Sequence, residues 1–379
     1  MAQLVLERRQ RSWLSLARRV DMVLILSTLA LAAYGVVILY SATRVQLIHA
    51  GTDPHYYLKR QALYDVLGVV AMGIVVAIGY RRLVRAGLAL YCLMLVMLLG
   101  VMAVGHSALG SQRWFQVGPF QLQPSAFASL GLVLALTAVI RRHESVRLRH
   151  LALLLVMAGV PIILVVKQPD LGSAIIMSVV VLTVLVVGGT RARHLLVLAV
   201  VAGAGLFLVL HLGLLKSYQL DRITGFLNQN NASTASNTTY NIAQAKAAIS
   251  SGGIHGKGLF HGQETNLGYV PEQSTDFIFS AVGEQLGFVG ATALLAIYGI
   301  IGWRLWRAAA TAGDRTGRLC AAGALALIGY SVFQNAGMTM GIMPIAGIPL
   351  PLVSYGGSAV IETFAAVGLA ISVGLARSR

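Results

Sequence analysis

Charge is what this chain has least of. Only 11% of its 379 residues are Asp, Glu, Lys or Arg, while 57% are hydrophobic, and the mean hydropathy is +0.76. A soluble domain carries about 25% charged residues, so that class is excluded and a polytopic membrane protein remains. Acids are scarcest, 13 against 29 Lys and Arg, which gives a net charge of +16. Cysteine is nearly absent. Cys92 and Cys320 fall in or beside apolar runs, so neither a disulfide framework nor a cysteine metal site is supported, and both read as small packing residues. Walker spacing is missing, and His255 and His261 have no third ligand at metal spacing, so there is no nucleotide loop and a histidine metal site is not supported. No internal repeat is visible, which weakens a transporter built from repeated halves.

What the chain does have is long apolar runs. Crossing a hydrocarbon core takes about 20 residues of helix, and about ten such runs occur, at 22–43, 62–80, 84–105, 124–140, 150–167, 171–189, 194–215, 276–301, 319–341 and 357–376. The polar segment before the first holds Arg8, Arg9, Arg11, Arg18 and Arg19, and no small-residue cleavage pattern follows the run. The first helix is therefore expected to be retained rather than removed as a signal peptide. The fold class is all-α, one polytopic transmembrane domain over 1–379, with a large loop at 216–275.

Arginines cluster in alternate connections: Arg81, Arg82 and Arg85; Arg141, Arg142, Arg147 and Arg149; Arg191 and Arg193; Arg304, Arg307, Arg315 and Arg318; Arg377 and Arg379. By the positive-inside rule these loops and both termini are cytoplasmic. The charge is then topology and attraction to anionic lipid, and nucleic-acid binding is not expected. The opposite, extracytoplasmic side holds the unusual sequence: the loop 106–123, the turn around Gln168-Pro169-Asp170, the 216–275 loop, and the Gly- and Pro-rich stretch 342–357. Irregular backbone at membrane depth is tolerated only inside protein or along a wet cavity, so a cavity open to the outer face is expected. Within the large loop, 228–239 is low-complexity and reads as a mobile loop, and Tyr240 to Ser250 reads as a helix ended by Gly252-Gly253.

Asp276, at the mouth of the run that follows, is the candidate catalytic residue. A partly desolvated carboxylate has the raised pKa that suits a general base. The competing reading is a helix N-terminal acid favoured by the dipole, beside Ser274 and Thr275 as cap candidates. Glu284 lies deeper along the same helix and reads as a structural hydrogen-bonding group, as do Asp65 and Glu362. Arg113, Lys167, Lys246 and Lys257 are outer-side cations of the kind a pyrophosphate needs. For Lys246 and Lys257 snorkelling toward headgroups is an equal alternative. The glycines from Gly252 to Gly258 permit close backbone approach.

Five blocks together resemble the SEDS family (shape, elongation, division and sporulation). They are Gln123-Pro124-Ser125; Gln168-Pro169-Asp170-Leu171-Gly172; Ser251-Gly252-Gly253 with Gly256-Lys257-Gly258; Pro271-Glu272 with Thr275-Asp276-Phe277-Ile278-Phe279; and Pro344 with Gly347-Ile348-Pro349-Leu350-Pro351 and Ser354-Tyr355-Gly356-Gly357-Ser358. The resemblance covers nearly the whole chain and is nearest to the RodA, or elongation, branch, because the sequence ends soon after the last run. It implies a multi-pass enzyme of the bacterial cytoplasmic membrane that polymerises lipid II into glycan strands on the outer face, beside a single-pass class B penicillin-binding protein. It places the catalytic aspartate on Asp276, with inversion at the donor carbon; Arg113, Lys167, Lys257, Glu272 and Ser354 are the substrate-binding candidates of this sequence. No cofactor is certain, and a divalent cation is left open. A lipid II flippase and a scaffold recruiting the penicillin-binding protein are the alternatives. Ala126 and Ser129 stand where many members carry Glu and Lys, and Ser274 where His or Gln is common.

Overall fold

The computed structural model describes residues 20–108, 111–118, 120–143, 148–213, 217–229 and 237–377. Helix α1 (Met22–His49) is capped by Asp21, whose Oδ1 accepts the Leu24 amide at 3.0 Å. It is followed by α2 (Tyr56–Ile78), the short α3 (Tyr80–Arg85) and α4 (Gly87–Val104). Three short antiparallel strands come next, β1 (His106–Ala108), β2 (Ser111–Val117) and β3 (Phe120–Leu122), in the order β1-β2-β3. Then come α5 (Pro124–Ile140), α6 (Leu148–Lys167), α7 (Leu171–Val187), α8 (Ala192–His211), α9 (Ser217–Leu227), α10 (Asn237–Gly252), α11 (Gln263–Asn266), α12 (Ile278–Ala310), α13 (Arg315–Thr339) and α14 (Gly357–Arg377).

Each apolar run is a helix. Seven of the described helices, α1, α2, α4, α6, α12, α13 and α14, are long and apolar enough to cross a membrane; α5, α7 and Ala192–Gly205 of α8 are shorter apolar helices. The chain is thus a mostly helical, multi-pass membrane protein. Its middle is α13 and α14, whose apolar windows are 67% and 72% buried, against 22% for α2 and α4. The outer helices turn rows such as Val66, Val70 and Ile74 outward, as lipid-facing stripes should. Helix α14 runs parallel to α2 at close quarters. Gly357 meets the Tyr64 ring, Gly68 meets Phe364 and Gly368 meets Met72, and beyond them the Tyr80 amide donates to Ser372 Oγ at 2.8 Å.

The structure departs from the sequence reading in several places. The 106–123 connection is a small sheet rather than a plain loop, and the 216–275 segment holds three helices. The α10 helix begins at Asn237, so Asn237–Thr239 are helical; 230–236 of the expected mobile loop lie outside the described residues. Its end is as expected, with Gly253 at φ +56°. Cys320 is buried but Cys92 is exposed on α4, so only Cys320 is a packing residue. The contacts expected of Asp65 and Glu362 are incomplete, since Asp65 Oδ1 and Glu362 Oε1 have no partner among the described residues.

The helix that follows Asp276 is broken. Gly287 inside α12 has φ +64° and ψ −163°, outside anything a side-chain-bearing residue adopts readily. The Gly252–Gly258 segment enters at the break and takes over the hydrogen bonds the helix gives up. Phe288 and Val289 amides donate to Gly253 and Ile254 carbonyls at 2.9 and 3.1 Å, and Lys257 and Gly258 amides donate to Glu284 and Gln285 carbonyls at 3.0 and 2.9 Å. Gly256 and Gly287 pass backbone to backbone, so a Cβ on either would strike the other strand of chain. This is why the segment is glycine-rich: buried main chain must find main-chain partners.

Candidate functional site

The loop before α12 aims Asp276. The Glu272 carbonyl accepts the amides of Thr275, Asp276 and Phe277 at 3.2, 2.9 and 3.3 Å, closing a tight turn that forces Glu272 itself to φ +51°. Such a conformation costs a non-glycine residue about 1 kcal/mol or more. Helix α12 starts at Ile278, and its N-cap residue Phe277 makes no side-chain cap. The expected capping by Ser274 or Thr275 is therefore absent, while Asp276 still stands just ahead of the positive end of the α12 dipole. Thr275 Oγ1 instead donates to the Glu272 carbonyl at 3.2 Å.

A second loop lies over the first. Residues 344–356 are irregular yet largely buried, held by Tyr298 Oη donating to the Pro351 carbonyl at 2.5 Å and by the Tyr355 amide donating to the Ser274 carbonyl at 2.9 Å. Asn335 of α13 joins the two loops: its Nδ2 donates to the carbonyls of Asp276 and Ile348 at 2.8 and 2.7 Å. Gly347, at φ +69°, faces the carboxylate. A Cβ there would lie 3.4 Å from Asp276 Oδ2 and 3.9 Å from Arg222 Nη2, so a side chain at 347 would crowd the space beside the acid and the nearby guanidinium.

The third wall is the turn between α6 and α7. Asp170 caps α7 through the Ser173 amide at 3.2 Å and collects Ser125 Oγ at 2.7 Å and Gln123 Nε2 at 3.1 Å. Arg113 of β2 reaches across to donate to the Gln168 carbonyl at 2.9 Å and also to the Pro169 carbonyl. The sheet thereby pins the Gln-Pro-Asp turn. Among these groups Asp276 is half-buried, and its pKa is raised to about 6, first by burial and then by the Glu272 charge; Arg222 and Arg113 pull it back and Asp170 adds to the rise.

Asp276, Glu272 and Arg113 are therefore brought together, with Arg113 engaged on backbone carbonyls. Lys167 is exposed at the end of α6. Lys257 points elsewhere: its Nζ lies 2.9 Å from Oε1 of the fully buried Glu284, which also accepts the amides of Glu264 and Thr265 and the Thr265 hydroxyl at 3.0, 2.9 and 2.6 Å. The structural reading of Glu284 holds and extends to Lys257. Ser354 is buried and accepts the Leu350 amide at 2.8 Å, which turns its hydroxyl into the loop. Lys246 is exposed on α10, beside Gly341. Arg222 and Asn335 were not foreseen. Arg222 was open to the same outer-cation count that found Arg113, whereas Asn335, an amide inside an apolar run, gave no such signal. Among the described residues no group of three or more His, Cys, Asp or Glu is placed to hold a metal ion.

The class is now defined: a polytopic helical membrane protein in which polar loops meet around one aspartate at one end of the bundle. Residues 21–378 match the FtsW/RodA/SpoVE family model, described as "Cell cycle protein", and the chain belongs to that family, the SEDS proteins. It is 36% identical to the probable peptidoglycan glycosyltransferase FtsW of Geobacter metallireducens, over 94% of each chain. It is also 36% identical to the peptidoglycan glycosyltransferase MrdB of Escherichia coli, over 93% of each. Among solved structures it is similar to a chain of a peptidoglycan synthase complex that coordinates polymerization and crosslinking, with TM-score 0.80, 32% identity and 95% and 99% coverage. It is also similar to the rod shape determining protein RodA of Thermus thermophilus, with TM-score 0.70, 31% identity and 95% and 98% coverage.

Proposed function

We propose that the chain is a peptidoglycan glycosyltransferase that polymerises lipid II on the outer face of the bacterial cytoplasmic membrane, with Asp276 as general base. The observation that carries this reading is the half-buried Asp276 carboxylate, its pKa raised to about 6 by burial and the Glu272 charge while Arg222 and Arg113 favour its charged form, in a loop that Asn335 joins to the largely buried 344–356 loop. In the reaction the acceptor hydroxyl gives its proton to an Asp276 oxygen as its own oxygen bonds to the donor sugar carbon. The bond from that carbon to the lipid pyrophosphate breaks, and configuration inverts. One base suits a direct displacement of this kind. The pyrophosphate takes the electron pair, and Arg222 and Arg113 supply positive charge where negative charge develops.

The bundle is oriented with the Asp276 end outward and both termini in the cytoplasm; the basic connections at the opposite end support this. The names of the relatives support the activity, and the solved synthase complex supports a class B penicillin-binding protein as partner. Relatives named FtsW and MrdB are equally similar, so the elongation role rests on the likeness to the RodA structure. Depletion rounding the cells would support elongation, and filamentation would assign division instead. The activity itself is tested by giving purified protein lipid II with its cognate penicillin-binding protein. Glycan polymer supports the enzyme. Lipid II crossing a vesicle bilayer without polymer would favour a flippase, and neither outcome from a folded, partner-bound protein would favour a scaffold.

A further inference from the structure

The end of the bundle far from Asp276 contains a second built site. Asp276 lies just before α12 and Asp314 just after it, so the 33 residues of that helix, with its break at Gly287, separate them along the chain. Around Asp314 the short helix α3, the C-terminus of α5 and the N-terminus of α13 form an open cavity of about 300 Å³, lined by the exposed Arg81, Arg85 and Arg141 with Asp314 and Thr316. Three guanidinium groups thus share one small space with one carboxylate.

That carboxylate is already committed. Asp314 Oδ1 accepts the Gly317 amide at 2.6 Å as the cap of α13, and Oδ2 accepts Tyr80 Oη at 2.7 Å and lies 3.2 Å from Arg81 Nη2. Arg81 is the residue it neutralises. Arg85 makes only a long contact, Nε to the Arg81 carbonyl at 3.4 Å, and Arg141, the C-terminal cap of α5, faces the same cavity. The walls carry two positive charges in excess, and the α13 N-terminus adds its own positive dipole end. Like charges held around a concave space lower their repulsion by taking up an anion, and forked guanidinium donors match phosphate oxygens two at a time.

We propose that this cavity binds a phosphate-bearing anion, taken from the headgroup of an anionic phospholipid or from a free phosphate compound. It does not use the Asp276 site, and it rests on the reading that this end of the helices meets the membrane surface. There, basic pockets between helices meet anionic headgroups.

The test is native mass spectrometry of the purified full chain in mixed micelles of cardiolipin and phosphatidylcholine, with inorganic pyrophosphate as soluble competitor. Wild type is expected to retain cardiolipin selectively, and the double variant Arg85→Gln/Arg141→Gln to retain at least tenfold less. Arg82→Gln, an exposed arginine on α3 outside the cavity, should retain as much as wild type. Loss of cardiolipin to pyrophosphate in wild type would support the site and show that a soluble phosphate can fill it; resistance to pyrophosphate with loss in the double variant would assign the lipid. Equal retention by wild type and the double variant, or equal loss in Arg82→Gln, would overturn the proposal.

Discussion

The Lys257 ammonium lies 2.9 Å from the Glu284 carboxylate, at the point where the glycine-rich segment enters the broken helix. A cation beside the site is thereby tied to the scaffold. Breaking a buried pair by removing one partner costs about 3–5 kcal/mol; with Lys257 27% exposed and Glu284 keeping three other donors, about 2–3 kcal/mol is expected here. Lys257→Met should lower the unfolding temperature in detergent, and adding Glu284→Gln should recover part of the loss. An unchanged unfolding temperature with a raised KM for lipid II would instead place Lys257 on substrate.

A general base must be deprotonated to act, and the pKa of Asp276 is raised to about 6, so with Asp276 in that role the polymerisation rate should rise through that pH and level off above it. Arg222 favours the carboxylate and Glu272 disfavours it. Arg222→Gln should move the rising limb to higher pH and Glu272→Gln to lower pH in profiles of kcat/KM. Arg222→Gln should also cost about 100-fold at the plateau, the scale of one removed transition-state donor. Profiles that stay in place in both variants would remove these residues from the electrostatics of the base.

Asn335 acts on Asp276 through backbone. Asn335→Ala frees both the 276 carbonyl and the 348 loop, and a misplacement of about 1 Å can cost about 100-fold. A positioning role predicts a fall in kcat with KM and the pH limb kept. A fall in unfolding temperature with full activity in the surviving fraction would show a structural role alone.

Much of this architecture is legible in the sequence because lipid imposes a simple rule: a chain must spend about 20 apolar residues on each crossing, and charge fills the turns. The places of the seven long apolar helices and of the three shorter ones follow from it. Asp276 is legible for the same reason, as an acid set at the edge of an apolar run. What escapes is set by contacts far apart in sequence. The pairing of Lys257 with Glu284, the inward turn of Ser354 and the backbone hold of Arg113 on the Gln168-Pro169 turn depend on which loops meet. The break at Gly287 depends on a segment about 30 residues earlier entering the helix. Arg222 was open to the outer-cation count, but its place beside Asp276 shows only once α9 is set against the loop that holds Gly347.

The most direct test of the central claim is glycan polymerisation from purified lipid II with the cognate penicillin-binding protein, comparing wild type with Asp276→Asn. The substitution keeps shape and removes the proton acceptor. The account predicts polymer from wild type and a rate at least about 100-fold lower from the variant, the usual scale of general base catalysis, with lipid II binding and unfolding temperature preserved. Equal polymer from both proteins would contradict it and remove Asp276 as the base.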